Sequence, residues 1–264
     1  SLIFSFFSTF PFGKSQTPNL NIHKTSLNSL TTQPPAAIKV SVLYFCFMVL
    51  DSEKAKVVAK SLLQIKAIEL SPKNPFTWAS GIKSPIYCDN RIILSHPKVR
   101  SFVCSNLSKQ IKKTFPEIEI IAGVATGAIG IAALVAQDLG LPMVYVRSAS
   151  KGHGRKNLIE GHLESGKKVV VVEDLISTGM SSLKAVNSIK ESGGRVIGML
   201  AIFTYGLQES TKAFNDEGCK LITLSDFEHL LRGIKNDKSF SSEDQLILDD
   251  WRKNPKNWHN IKSS

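Results

Sequence analysis

Lys167 to Ser182 reads KKVVVVEDLISTGMSS, and no other stretch restricts the fold as tightly. Val169 to Val172 is an unbroken run of β-branched residues without polar alternation. A half-exposed strand alternates; an unbroken run fits a strand covered on both faces, as in the middle of a parallel sheet. The run ends in Glu173-Asp174, followed by Leu175-Ile176 and then Ser177-Thr178-Gly179. From Met180 onward, Leu183, Val186 and Ile189 recur at helical spacing. The stretch therefore predicts a strand, a short loop and a helix, with hydroxyl residues and a glycine at the helix entrance.

A helix entrance presents unpaired backbone N–H groups and a positive dipole end, which favour a phosphate. Ser177, Thr178 and Ser181 add hydroxyl donors, and Gly179 lets the backbone come close. Glu173 and Asp174 sit at the carboxyl end of the strand, where open α/β sheets bind ligands. Carboxylates accept hydrogen bonds from vicinal hydroxyls and repel a second anion. A sugar phosphate, with a diol beside its phosphate, satisfies both halves. The plainer alternative is that the acidic pair ends a strand and Ser177-Thr178 caps a helix. The stretch is not a nucleotide P-loop, because GxxxxGK[ST] is absent and no lysine follows Gly179.

This arrangement resembles the phosphoribosyl-pyrophosphate (PRPP) signature of the type I phosphoribosyltransferases. The resemblance implies that Glu173 and Asp174 hold the ribose hydroxyls and that Ser177, Thr178, Gly179, Met180 and Ser181 hold the 5-phosphate. Leu175 and Ile176 complete the PRPP-binding run it implies. Met180 stands where the family often has a small residue.

Upstream, Pro75 to Arg91 reads PFTWASGIKSPIYCDNR. Ser80-Gly81 and Ser84-Pro85 read as turns between short extended pieces. Alone this is a hairpin with a few aromatic residues. Beside the signature it resembles the N-terminal hood of the orotate phosphoribosyltransferases, whose Phe-Thr-x-x-Ser-Gly-x-x-Ser-Pro pattern is met by Phe76, Thr77, Ser80, Gly81, Ser84 and Pro85. The family often has a lysine before the Ser-Gly pair; here Ala79 stands there and Lys83 is a candidate substitute. Tyr87 matches an aromatic position near orotate in relatives.

Ile118 to Val124 predicts another strand, giving way to Ala125-Thr126-Gly127-Ala128-Ile129-Gly130 and an Ala-rich helix. Two glycines before a helix let backbone meet an anion, though close helix packing alone would explain Gly130. The resemblance makes this the pyrophosphate loop, without the Tyr-Lys pair that some relatives carry there. After a strand at Leu141 to Val146 comes a long loop, Arg147 to Gly166. It sets Arg147, Lys151, His153, Arg155 and Lys156 between glycines. Long loops are often functional, and these cations suit closure over a polyanion; a solvated basic loop is the alternative. In the family this is the flexible catalytic loop that reaches the neighbouring subunit's site, which implies a homodimer. Arg147, Lys151 and His153 match its PRPP-contacting positions, and Lys151, His153 and Asp174 are the implied catalytic residues. Ser148 falls where some members have lysine.

Arg195 to Phe203 and Cys219 to Leu224 predict further strands, separated by a helix at Gln208 to Glu217. Phe203-Thr204-Tyr205-Gly206 lacks the orotate-binding arginine found there in one branch of relatives. Two more helices follow, and Trp251 and Trp258 flank Pro255 as apolar anchors for the tail.

The chain of 264 residues carries a net charge of +11, which suits anionic small substrates as well as nucleic acid or an anionic membrane surface. No nucleic-acid-binding motif is present, and no apolar run reaches the roughly eighteen residues of a membrane span. Cys46, Cys88, Cys104 and Cys219 are widely spaced, so neither zinc nor a disulfide framework follows, and a reduced compartment is expected. Residues 1–47 contain no Asp, Glu or Arg and resemble an organelle transit peptide, better suited to a plastid than a mitochondrion. The alternative is sequence upstream of a start at Met48, which leaves the protein cytoplasmic. A domain at 48–264 then divides into a hood at about 51–95, a core at about 96–236 and a helical tail at about 237–264.

The expected class is α/β: a five-stranded, mainly parallel sheet flanked by helices, with an N-terminal hood, as in the type I phosphoribosyltransferase fold. The resemblance implies conversion of orotate and PRPP to orotidine 5′-monophosphate and pyrophosphate, with Mg²⁺ held mainly by substrate oxygens and Ser177 touching orotate as well as phosphate. A purine phosphoribosyltransferase is the nearest rival, opposed by the hood at Phe76 to Asp89. A PRPP-binding regulator without turnover is opposed by the basic loop Arg147 to His153. After Trp258 no room is expected for an added decarboxylase domain.

Overall fold

The valine run is buried to the last atom: Val169, Val170, Val171 and Val172 are each 0% exposed. The computed structural model describes residues 48–49, 52–78, 81–149, 158–235, 240–255 and 258. The expected targeting-like segment 1–47 therefore lies outside the described residues, as do Ala79, Ser80, Lys151 and His153.

The chain begins with β1 (Met48–Val49) and α1 (Ser52–Gln64). The hood follows as β2 (Ile68–Leu70), β3 (Phe76–Thr77), β4 (Lys83–Ser84) and β5 (Ile86–Cys88). β3 pairs with β4 and β2 with β5, both antiparallel, which makes two small ribbons. A 3-10 helix, Asn90–Ser95, leads to α2 (Pro97–Thr114), whose first residue is a proline pre-set for a helix start. Then come β6 (Ile120–Val124), α3 (Ile129–Leu139), β7 (Met143–Val146), β8 (Ile159–Glu160) and β9 (Lys168–Ile176). The remainder is α4 (Met180–Glu191), β10 (Arg195–Thr204), α5 (Gln208–Asp216), β11 (Leu221–Asp226), α6 (Phe227–Ile234) and α7 (Ser242–Lys253).

The main sheet runs β1-β11-β10-β9-β6-β7-β8, with every pairing parallel except β7 with β8. The five expected strands form its centre, but among the described residues the sheet has seven. The two additions, β1 and β8, are two-residue edge strands, too short to leave a periodic pattern in the sequence. β8 also corrects the reading of Arg147 to Gly166 as one uninterrupted loop: Ile159 pairs back onto Val146. A third difference concerns β9, which does not stop before the acidic pair but continues through it to Ile176, because β10 offers partners as far as Thr204.

The alternation of β9 explains the unbroken valines. Val170 and Val172 pack on one face with α1, α2, α3, α6 and α7; Val169 and Val171 pack on the other with α4 and α5. Each buried valine contributes roughly 1.5–3 kcal/mol relative to exposure. The tail is anchored in the first of these layers. Trp251 is fully buried, donates its indole N–H to the Lys83 carbonyl at 3.2 Å, and meets Trp78 edge-on at a centroid distance of 5.6 Å. The end of the chain thereby fixes the hood over the carboxyl ends of β9 and β10. No helix among the described residues is long and apolar enough to cross a membrane.

Candidate active site

Two loops meet above the sheet, one after β6 and one after β9, and enclose a cavity of about 330 Å³. Glu173 and Asp174 enter it from within β9, and since neighbours in a strand point to opposite faces, they do different things. Glu173 is 4% exposed. One of its oxygens accepts the Asp174 N–H at 3.0 Å, and the other accepts the Ser182 hydroxyl at 2.8 Å. Burial, with the Asp174 charge next to it, pushes the Glu173 carboxyl well above its usual value. Asp174 is less buried, and its carbonyl accepts the Asn90 side-chain N–H at 2.7 Å. Its carboxylate lies against Gly127 of the facing loop, where a Cβ would overlap it.

At one end of the cavity stands the entrance of α4. Gly179 holds the cap position at φ +80°, a left-handed conformation that suits glycine, and no side chain caps the helix. The first-turn N–H groups are therefore left for an anion, with the hydroxyl residues Ser177, Thr178 and Ser181 lining the same space. Across the cavity, Ala125, Thr126 and Gly127 close the loop after β6, the Ala125–Thr126 peptide being cis. α3 likewise begins without a side-chain cap. The α4 entrance and the loop after β6 thus flank one carboxylate, an arrangement for a ligand with an anionic group at the helix end and hydroxyls beside it.

A second cavity, about 840 Å³, adjoins the first. Ser177 and Thr178 line both. Beyond them the wall is made by Trp78 and Ile82 of the hood, Gly206 after β10, and Arg252 of α7. This space lies on the β10 side of the phosphate-type loop, whereas the smaller one lies on the β6 side.

The sequence-predicted residues divide among these surroundings. Glu173, Asp174, Leu175, Ser177, Thr178, Gly179 and Ser181 line the smaller cavity. Met180 is 60% exposed and lines the larger one. The side chain of Ile176 is buried in the core among α4 and β10 residues, and its carbonyl accepts the Thr204 hydroxyl at 3.2 Å. Tyr87 is 41% exposed on β5, 5.6 Å from the Phe76 ring, and lines neither cavity. Lys83 donates its ammonium to the Thr77 hydroxyl at 2.7 Å. Arg147 follows β7, with its N–H bonded to the Leu158 carbonyl at 2.8 Å and its guanidinium 3.4 Å from Glu160. Sequence reasoning missed Ser182, Asn90 and the close approach of Gly127 to Asp174. A signal for Ser182 exists, since it shares the buried helix face of Ala185, Val186 and Ile189, where a small polar residue needs a partner.

A profile of the "Phosphoribosyl transferase domain" family matches residues 92–231. The chain is 53% identical over 203 residues to an orotate phosphoribosyltransferase of Listeria monocytogenes serotype 4b (strain F2365), covering 77% of this chain and 97% of that protein. It is 54% identical over 203 residues to that of Phocaeicola vulgatus, covering 77% and 96%. Among solved structures, orotate phosphoribosyltransferase from Aeropyrum pernix superposes with a TM-score of 0.60 at 28% identity, over 67% of this chain and 98% of that one.

Proposed function

The chain belongs to the orotate phosphoribosyltransferases, within the phosphoribosyltransferase family, and from that premise we propose how its own residues carry the reaction. The enzyme transfers the 5-phosphoribosyl group of PRPP to orotate and releases pyrophosphate. The bond from ribose C1 to the diphosphate oxygen breaks, a bond to the orotate ring nitrogen forms, and that nitrogen's proton is lost to solvent.

Positive charge on the ribose ring and negative charge on the departing diphosphate grow together in such a transfer. The observation that carries the assignment is Asp174, set in β9 between the loop Ala125 to Gly127 and the entrance of α4. Its carboxylate accepts the ribose hydroxyls and favours the positive ring. Glu173, tied to Ser182, serves the ribose less directly by fixing the strand beneath. Ser177, Thr178, Gly179, Met180 and Ser181 receive the 5-phosphate at the α4 entrance, and the loop Ala125 to Gly127 receives the diphosphate. Arg147, Lys151 and His153 add positive charge to the leaving group, with Lys151 and His153 brought in by the loop between β7 and β8. Ser177, which borders both cavities, contacts orotate as well as phosphate, whereas Tyr87, outside both cavities, reaches the base only if the hood moves toward it.

Mg²⁺ fits this donor set as a passenger on the substrate. The cavity offers hard oxygen donors at Asp174 and the neighbouring hydroxyls, and among the described residues no three metal-ligating side chains cluster into a cage. Asp174 and the neighbouring hydroxyls would help hold it beside the substrate, and it would supply charge neutralisation to the leaving group. A homodimer is the proposed assembly. The catalytic loop springs from β7 and β8 at the outer edge of the sheet, with β6 between them and β9, a place from which it can serve a partner's site. No nucleic acid or membrane partner is proposed. Whether residues 1–47 direct the chain to a plastid or it remains cytoplasmic turns on that segment alone.

The reaction is tested by following orotate absorbance with PRPP and Mg²⁺ for the protein begun at Met48, beside Asp174→Asn and Lys151→Ala. Turnover by the parent protein, reduced by roughly 100-fold or more in both variants, is the expected result. A folded parent that binds PRPP and leaves orotate untouched would move the assignment to another base or to a regulator.

A further inference from the structure

Orotate differs from a neutral pyrimidine by one carboxylate, so an enzyme that selects it benefits from a cation in its base pocket. On the reading above, the larger cavity is that pocket: it adjoins the phosphate-type loop at Ser177 and lies under the hood, over the end of β10. The turn that leaves β10, Tyr205 to Leu207, carries no charge. Among the described residues lining the cavity, the cations are Arg252 and Lys253, both from the last turn of α7. Arg252 reaches over the turn, with one terminal nitrogen 3.7 Å from where a Cβ on Gly206 would stand. The guanidinium and Gly206 thus lie side by side on the wall of the cavity.

We propose that Arg252 is the residue that selects orotate, receiving its carboxylate in the larger cavity. Arg252 is held in place without being consumed. Its ion pair with Glu228 is long, at 3.7 Å, and Glu228 also pairs with Arg232, so the guanidinium keeps donors for a second carboxylate. Asp249 lines the same cavity, so an incoming carboxylate is repelled on its side and drawn to that of Arg252 and Lys253. A planar guanidinium matches a carboxylate with two parallel hydrogen bonds, which an ammonium cannot do. The buried Trp251 beside it, locked to the hood through the Lys83 carbonyl, sets the reach of Arg252 from a rigid neighbour.

The test is steady-state kinetics of the parent protein, Arg252→Gln and Arg252→Lys, varying orotate and PRPP separately and checking folding by thermal melting. Loss of a charged hydrogen-bonding partner should raise KM for orotate by about 10- to 100-fold in Arg252→Gln. KM for PRPP should stay within about twofold, since only one substrate is affected. Arg252→Lys should show a smaller rise, again confined to orotate, and it decides the matter should Arg252→Gln not fold. An unchanged orotate KM, or equal rises for both substrates, overturns the proposal. Failure of the parent protein to consume orotate would instead strike the functional reading on which this one rests.

Discussion

The carboxylate of Asp174 occupies the space that a side chain at Gly127 would need: its Oδ1 lies 2.8 Å from an ideal Cβ there, and its other atoms lie closer still. Glycine is required at 127 for the room it leaves, since its φ is not in the left-handed region. Gly127→Ala should push Asp174 off its proposed place at the ribose, and a displacement of about 1 Å near the chemistry can cost on the order of 100-fold in rate. The measurement is kcat/KM for PRPP together with the melting temperature. A variant that melts normally and works normally would show that Asp174 has room to move without loss.

Glu173 makes a pH prediction of definite sign. Its folded value lies above the usual 4.5, chiefly through burial and then through the charge of Asp174. The folded state therefore keeps a proton that the unfolded state gives up. The stability this group contributes is full below the unfolded value and declines as pH rises through the folded one. Glu173→Gln removes the titration while keeping an acceptor for the Ser182 hydroxyl. Urea unfolding at about pH 5 and about pH 8 should show the variant gaining on the parent protein as pH rises. A difference that stays flat with pH would mean that Glu173 is solvated in the native state.

Trp251 connects the end of the chain to the hood, through its contact with Trp78 and its hydrogen bond to the Lys83 carbonyl. Trp251→Ala should cost about 3–5 kcal/mol, the range for removing a fully buried tryptophan. Hydrogen exchange separates this local loss from a general one. The Trp78 amide, bonded to the Ile82 carbonyl at 2.9 Å within the hood, should lose protection before amides of β9 do. Uniform loss across both would mean that the tail stabilises the whole domain without any preference for the hood.

Most of the sheet was legible because burial on both faces leaves an unmistakable mark: Val169–Val172 cannot alternate, and the helices around it can. The same logic fails at β1 and β8, where two residues carry no period, and at the end of β9, where the extension depends on a neighbouring strand distant in sequence. In the site, the α4 entrance could be read from Ser177-Thr178-Gly179, since its chemistry is local. The roles of Asn90 and Gly127 could not. Asn90 grips a carbonyl 84 positions away, and Gly127 makes room for a carboxylate on another strand; neither relation has a sequence period. Glu173 and Asp174 read as one pair, and both line the cavity, yet Glu173 is tied to Ser182 by a buried hydrogen bond whereas the Asp174 carboxylate faces Gly127 across the cavity.

Gly179 is needed twice, for conformation and for space. At φ +80° a residue with a Cβ costs roughly 1–2 kcal/mol, and that Cβ would stand 2.8 Å from the Phe214 ring of α5. Phe214 is buried against α4, so the ring cannot simply swing into solvent. In Gly179→Ala the loop must instead shift, which misaligns the N–H groups at the α4 entrance proposed to receive the 5-phosphate. KM for PRPP should therefore rise by about tenfold, the consequence of losing about 1.4 kcal/mol of anion binding, while KM for orotate changes much less. Phe214→Leu in the same background should recover part of the loss by relieving the contact but leaving the strained φ. Recovery to the parent value would assign the whole effect to space, and no recovery would assign it to the backbone.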